Sequence, residues 1–175
     1  MVAVILAERY SNQTIEKITS HYKKFGINNI IICQSGEKER IEEIDKDGQT
    51  IITVKISSTE NYLGQLLKIK NLIEEEDFFL TFGDYFCNID LGNLFKFHKN
   101  LGKIVSIGSV VRGKYHFNGG FMVFSIDAFD YVTNKTIELE ADLLSRIAED
   151  DEISFYVYDG KCQNIYTNRN LYQIN

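Results

Sequence analysis

Residues Asp77–His98 read DFFLTFGDYFCNIDLGNLFKFH, and the fold turns on how this stretch is taken. Phe78–Phe82 is an unbroken run of apolar and β-favouring residues, the pattern of a strand buried on both faces. Gly83-Asp84 stops it. Leu91, Leu94, Phe95 and Leu101 then recur at helical spacing, with His98 on the same stripe, so a helix follows. A strand that ends in a carboxylate and leads to a helix puts Asp84 at the carboxyl edge of a sheet, where open α/β sheets bind ligands. The same Asp84 also suits a plain turn or helix cap, and spacing alone leaves both readings open.

On the amino-terminal side, Val2–Leu6 (VAVIL) reads as a strand, followed by a helix capped by Ser11 or Asn12. That helix carries Ile15, Ile18, Tyr22 and Phe25 on one stripe and closes at Gly26. Asn29–Cys33 is a second buried strand, and the charged Glu37–Asp47 segment is expected to form a short exposed helix. Asp47-Gly48 signals a turn, Ile51–Ile56 an alternating strand, and Glu60–Glu75 a helix with Tyr62, Leu66, Ile69 and Ile73 inward. On the carboxyl-terminal side, Ile104–Val111 and Phe121–Phe124 are strands joined by a link, Arg112–Phe117. Leu139–Ala148 is amphipathic, Ile153–Tyr158 is a strand, and the tail from Gly160 is polar. Alternating strands and helices predict an α/β fold with a mostly parallel sheet sandwiched by helices, as one domain over 1–175.

Composition bounds the function. With 175 residues the chain can bury a full core, and 44% apolar with 25% charged residues is ordinary for a soluble protein. The net charge of −6, with no long basic run, argues against a nucleic-acid surface. The many Tyr and Phe rings therefore read as packing rather than a base-stacking platform. No apolar run is long enough to span a membrane, and Val2–Leu6 lacks the basic flank of a signal peptide. Cys33, Cys87 and Cys162 are odd in number and in no metal-ligand spacing. They read as small buried groups in a reducing compartment, so the expected location is the cytoplasm. His21 reads as a helix-surface residue, His98 as partly buried, and His116 as the histidine with most claim to a functional role. There is no proline, so any motif that needs one is excluded.

Taken in series, these blocks resemble the sugar nucleotidyltransferases, and within them the bacterial glucose-1-phosphate cytidylyltransferases. VAVILA resembles the family's opening strand and HYKKFGINNIIIC its first helix and second strand. Tyr62–Lys68, with Gly64 and Gln65, sits where the family has a TGGRLKR-like substrate loop. FFLTFGD resembles the strand that ends in a metal-binding Asp, which falls on Asp84. Asn118-Gly119-Gly120-Phe121 matches the sugar-binding NGGF turn. Glu140 and Asp142 fall in a segment similar to EREPLERLA, and Tyr158-Asp159-Gly160 through Thr167 resembles HDGFWQCMDT. The resemblance implies a nucleotide-diphospho-sugar transferase-like (Rossmann-like) fold. It also implies a sugar phosphate or nucleotide as ligand, and Mg2+ if the site is active.

The departures fall on the nucleotide side. In the family a glycine-rich loop and an arginine follow the first strand, because backbone N–H groups and basic side chains must surround a polyphosphate. Here the strand runs into Glu8-Arg9-Tyr10-Ser11 with no glycine. Arg9 can stand in for the basic group, but Glu8 opposes a triphosphate. The family's proline-flanked lysine is absent. Its second metal-binding Asp falls on Tyr166, a phenol where magnesium prefers anionic oxygen. The segment before NGGF, which in the family carries a substrate-contacting lysine, is cut short. Such charge-neutralising groups are each worth ~2.7–4 kcal/mol of transition-state stabilisation, so losing several leaves little rate. The expectation is a degenerate transferase that keeps a sugar-side pocket or binds a partner. The alternatives are an active transferase with a rebuilt site, and a subunit that regulates a true cytidylyltransferase or self-associates.

Overall fold

The computed structural model describes residues 1–8, 10–36, 40–46, 48–57, 59–82, 85–112, 115–159 and 162–164. In chain order the strands are β1 (Val2–Leu6), β2 (Asn29–Ser35), β3 (Arg40–Lys46), β4 (Gln49–Ile56), β5 (Asp77–Thr81), β6 (Tyr85–Cys87), β7 (Val105–Arg112), β8 (Tyr115–Ser125), β9 (Ile153–Val157) and β10 (Cys162–Asn164). The helices are α1 (Asn12–Lys24), α2 (Tyr62–Ile69), α3 (Leu91–Leu101) and α4 (Ser145–Glu149). Eight strands form one sheet in the order β3-β4-β2-β1-β5-β8-β7-β9, and β10 pairs with β6 beside it. The block β4-β2-β1-β5 is parallel, as is β7–β9, but β3–β4, β5–β8 and β8–β7 are antiparallel. The sheet is thus more mixed than the sequence pattern predicts.

Strand β1 explains the layering. All five of its residues are buried, and it pairs in parallel with β2 on one side and β5 on the other. Successive side chains point to opposite faces. Val2, Val4 and Leu6 accordingly join Leu66, Ile69, Phe78 and Leu80 on one face, while Ala3 and Ile5 join Ile18, Tyr22, Phe79 and Phe121 on the other. A parallel strand needs cover on both faces, and α2 supplies one layer and α1 with α3 the other. Helix α1 starts where Ser11 Oγ accepts the Thr14 amide at 3.2 Å, and Gly26 with φ 74° ends it. Helix α3 is capped by Asp90, which accepts from Asn93 N at 2.8 Å, and stopped by Gly102 with φ 62°. Leu101, on the predicted inward stripe, is half exposed at that end.

Four expectations are corrected. Residues 40–46 form β3, not a helix: they close a hairpin onto β4 at the sheet edge, leaving Ile41 and Ile44 exposed. The predicted link over 112–117 instead ends β7 and opens β8, which runs unbroken through Asn118–Phe124. The helix predicted over Glu60–Glu75 starts at Tyr62 and gives way to a 3-10 turn at Lys70–Leu72, although Leu66, Ile69 and Ile73 are buried as expected. His21 is buried, not on the surface. Its Nε2 lies 2.8 Å from the Ile89 carbonyl, among the rings of Phe25, Phe86 and Phe121.

His98 is deeper than the sequence implied. Its Nε2 faces Asp77 Oδ1 at 3.3 Å and its Nδ1 faces Ser106 Oγ at 2.9 Å, while Lys99 Nζ donates to Asp77 Oδ2 at 2.7 Å. A carboxylate only accepts, so the neutral ring carries its proton on Nε2 and takes one from the serine on Nδ1. Ser106 in turn touches Ser154 at 2.8 Å, which ties α3 to β5, β7 and β9 through polar groups. Burial holds both His98 and His21 below the ordinary 6.5. The unfolded chain therefore takes up protons more readily than the native one below about pH 6.5. Stability is expected to be full above pH 6.5 and to fall as the pH drops through the lowered native values. Thermal melts between pH 7.5 and 5 should show this, and His98→Gln should flatten part of the slope.

Candidate functional site

The parallel strands β1 and β5 end at the same edge, and the residues singled out by sequence gather there in two groups. Arg9, Asp84 and Tyr166 lie outside the described residues. The strands that lead to Arg9 and Asp84 are described. Ala7 N donates to Cys33 O at 2.8 Å, which prolongs the β1–β2 ladder, and Tyr10 N returns to Ala7 O at 3.2 Å. Tyr10 is buried, and Ser11 already caps α1. Only Ala7–Tyr10 therefore separate the strand from its helix cap. At the end of β5 the buried Tyr22 phenol bonds the Thr81 hydroxyl, and burial pushes that phenol well above its usual value. This pins the strand immediately before Phe82-Gly83-Asp84.

The first group surrounds Asn118-Gly119-Gly120, which is not the turn that sequence implied. It is a strand segment at an irregularity, where the β7–β8 register shifts between Ile107 and Ser109. Asn118 Oδ1 accepts from Gly120 N at 2.8 Å, bridging the distortion. Gly120 has φ 86°, a conformation that favours glycine. A Cβ on Gly119 would stand 2.9 Å from Gly108 O of β7 and 3.2 Å from Cys87 Sγ of β6, so this position has no room for a side chain. Cys87 and Cys162 face each other across the β6–β10 pair and are joined as a disulfide. That corrects the expectation of three reduced cysteines. Cys33 alone is free and buried, its thiol pushed up to about 12 by desolvation.

The second group stands at the start of α2. Asn61 caps the helix by accepting from Gly64 N at 2.9 Å, and its amide donates to Ile137 O at 2.8 Å. That one side chain brings Gly64 and Gln65 beside the segment holding Glu140 and Asp142, which forms a π-helical turn (Leu139–Leu144) running into α4. Asp142 Oδ2 accepts from Ile137 N and Glu138 N, both at 2.8 Å, and these bonds hold its carboxyl below the usual range. The carboxylate fastens its own loop. Glu140 is exposed. Gln65 is buried, its Nε2 donating to Glu60 O at 3.3 Å, while Oε1 has no hydrogen-bond partner among the described residues. The Tyr62 ring against Phe82, 5.4 Å between centroids, links this group to the end of β5.

Among the described residues no cluster of three or more His, Cys, Asp or Glu suits a metal ion. A cavity of about 510 Å³ lies at the opposite edge, lined by Asp77, His98, Lys99, Lys103, Ser125 and Asp127 among others. It opens where β5 begins, whereas Asp84 follows its end, so it is no part of this site.

The fold is similar to that of solved sugar-nucleotide enzymes, as the resemblance implied. No protein-family model matches the chain. It is similar to a protein described as a probable glucose-1-phosphate cytidylyltransferase of Bacillus subtilis (strain 168), with 24% identity over 201 aligned positions, 88% of this chain and 79% of the relative. Among solved structures it resembles a UTP-bound UDP-glucose pyrophosphorylase from Acinetobacter baumannii, with a TM-score of 0.74, 12% identity and coverage of 94% of this chain and 88% of the other. HddC from Yersinia pseudotuberculosis, complexed with GMP-PN, gives a TM-score of 0.71 at 13% identity over 94% and 93%. At such identities the structural likeness speaks for the fold.

The glycines separate packing from flexibility. Gly119→Ala must push backbone and a fixed sulfur, and should destabilise by roughly 1–3 kcal/mol. At Gly64 a new Cβ would meet Glu60 Oε2, the far end of an adaptable side chain, so Gly64→Ala should cost well under about 1 kcal/mol. Urea unfolding of the two variants is the check. Equal losses would mean that the β6–β8 approach is looser than it stands here.

Proposed function

We propose that this chain, as one domain over 1–175, is a sugar nucleotidyltransferase relative that has lost nucleotidyl transfer or retains little of it, and that binds a sugar phosphate through its sugar side. The observation that carries the reading is the short, glycine-free connection Ala7–Tyr10. Among the described residues, Tyr10 N bonds Ala7 O and the tyrosine is buried, which speaks against a backbone cradle for a triphosphate, and Glu8 adds charge of the wrong sign. The metal donor set points the same way. Asp84 with the phenol of Tyr166 suits magnesium poorly, since a hard dication favours carboxylate and water oxygens. Asn118, the glycines, Gly64, Gln65 and the Glu140 segment are the proposed sugar-side contacts, and Arg9 the remaining nucleotide-side group. Asp142 belongs with them as the residue that shapes the loop. A cytoplasmic location goes with this reading.

One observation supports a bound ligand, in this reading and equally in the alternative of an active transferase with a rebuilt site. Gln65 Oε1 is a buried acceptor without a donor among the described residues, in the loop that resembles the family's substrate loop, and a ligand hydroxyl or amine would satisfy it.

Two experiments test the proposal. Pyrophosphate release should stay at background with glucose 1-phosphate and each of CTP, UTP, dTTP and GTP, in the presence of magnesium. Tyr166→Asp should raise magnesium affinity, because two carboxylates then share the ion, yet leave transfer undetectable. Turnover by the unmodified protein would overturn the reading, and turnover only after Tyr166→Asp would show the short connection to be tolerable. In the second experiment, adding glucose 1-phosphate should move amide resonances at Asn118–Phe121 and Glu140–Asp142. If a panel of sugar phosphates leaves them still, those residues serve structure alone.

A further inference from the structure

The Cys87–Cys162 disulfide stands where it can act on the sugar side. Cys87 closes β6, the strand entered directly after Asp84. Its sulfur lies against Gly119, at 3.2 Å from where a Cβ would be, beside Val110 and Tyr158. The Tyr158 hydroxyl donates to the carbonyl of Asn88, the next residue, and Tyr158 N donates to Ser109 O at 2.8 Å. Ser109 is the residue paired with Asn118. Cys87 is thus held from one side by β9 and β7 and touches the irregularity on the other. Cys162 belongs to β10, whose only described ladder is the three pairs Cys162↔Cys87, Gln163↔Phe86 and Asn164↔Tyr85. A ladder of three pairs outside the main sheet is a marginal structure without a covalent tie. Cystines are rare in reducing compartments, and there they are mostly transient or redox-sensing.

The geometry points to a redox latch: thiol–disulfide exchange at Cys87–Cys162 with a small dithiol reductant releases β10 and loosens the Asn118–Gly120 segment, so the reduced protein binds sugar phosphate more weakly. The latch itself rests on geometry; its effect on ligand rests on the sugar-side reading above. Exchange begins at Cys162, because Cys87 is wedged between Gly119 and Tyr158 while Cys162 sits in the outer strand and is reached when the short ladder frays. A thiolate of the reductant attacks Cys162 Sγ, the intramolecular S–S bond breaks, and Cys87 leaves as a thiolate that takes up a proton. The reductant's second thiol then displaces Cys162 from the mixed disulfide. The protein gains two electrons and two protons, and the reductant becomes a cyclic disulfide. The two free sulfurs then need van der Waals separation, and with Gly119 and Gly108 filling one side, the space comes from β10. Cys33 takes no part, since it is buried and its thiol is held far from ionisation.

The test compares amide hydrogen exchange of the full chain before and after dithiothreitol, with glucose 1-phosphate titrated into each form. Before reduction, iodoacetamide should label neither Cys87 nor Cys162; after it, both. Reduction should speed exchange most at Cys162–Asn164, then at Tyr85–Cys87 and Asn118–Gly120, and leave β1 and β2 unchanged. The apparent Kd for glucose 1-phosphate should rise roughly fivefold or more, the low end of coupling between linked sites. The double variant Cys87→Ala/Cys162→Ala should behave as the reduced form in either buffer. If it does not fold, the wild-type pair of states still answers the question. Labelling of both thiols without reductant, or unchanged exchange at Asn118–Gly120 after reduction, overturns the latch. Silence of glucose 1-phosphate in both forms with exchange responding as described overturns the sugar-side reading and supports the latch.

Discussion

The pairing of β1 with β5 is the constraint from which the rest follows. Ala3↔Phe79, Val4↔Leu80 and Ile5↔Thr81 are parallel neighbours, essentially dry on both faces. Parallel strands cannot be joined by a tight turn, so the chain between them must cross over the sheet, and β2, β4 and α2 lie on that path. Fully burying each large aliphatic or aromatic side chain contributes on the order of 1.5–3 kcal/mol, so the two helix layers that keep these strands dry are the main stabilising elements. The pairing also aligns the two strand ends. Ala7–Tyr10 and Phe82 emerge side by side, and the Tyr22–Thr81 bond fixes one against α1. Whatever the site binds, its geometry is set by this pair.

The sequence disclosed what burial dictates. Phe78–Phe82, Val2–Leu6 and the α1 stripe carry period and composition that only one environment satisfies, and each element formed where expected. Strand β3 failed for the opposite reason. At the sheet edge neither face is fully covered, so Arg40–Lys46 shows no period of two, and its Ile41/Ile44 spacing with interleaved acids imitates an exposed helix. The sequence signal that could have found it is the Asp47-Gly48 turn followed by Ile51–Ile56, a hairpin pattern. His21 misled for want of a partner in sequence, its acceptor being the carbonyl of Ile89. The cystine was equally hidden, because its halves are 75 residues apart and only the β6–β10 pairing brings them together.

The candidate site was legible as residue types and less so as roles. Asn118 and its glycines read as a turn because glycine pairs usually are one. Their need for glycine instead comes from a close strand approach and one left-handed residue within a strand. Asp142 read as a ligand contact, yet both amides it accepts belong to its own loop. Asn61, which no motif marked, joins the two loops through a helix cap on one side and Ile137 on the other. Such residues are invisible to motif reading because capping is common and the second bond is a matter of tertiary position.

A phosphate-cradling loop and a hydrophobic sheet contribute differently to stability. Glycine-rich loops lose more conformational entropy on folding than ordinary residues, and closely spaced positive groups repel until an anion arrives, so an unused cradle lowers stability. In this chain Tyr10 is buried and Ser11 caps α1, so the exit of β1 contributes apolar contact and a helix cap. The core beneath has no such conflict: Ala3, Ile5, Phe79 and Phe121 stabilise the fold whether or not a ligand binds. Some of the candidate sugar-side positions are ones that packing also needs. Gly119, wedged between Gly108 and Cys87, is such a place. The glycine there is explained by packing before any ligand is invoked, whereas Gln65 Oε1, unpartnered among the described residues, has no packing account and argues for a ligand.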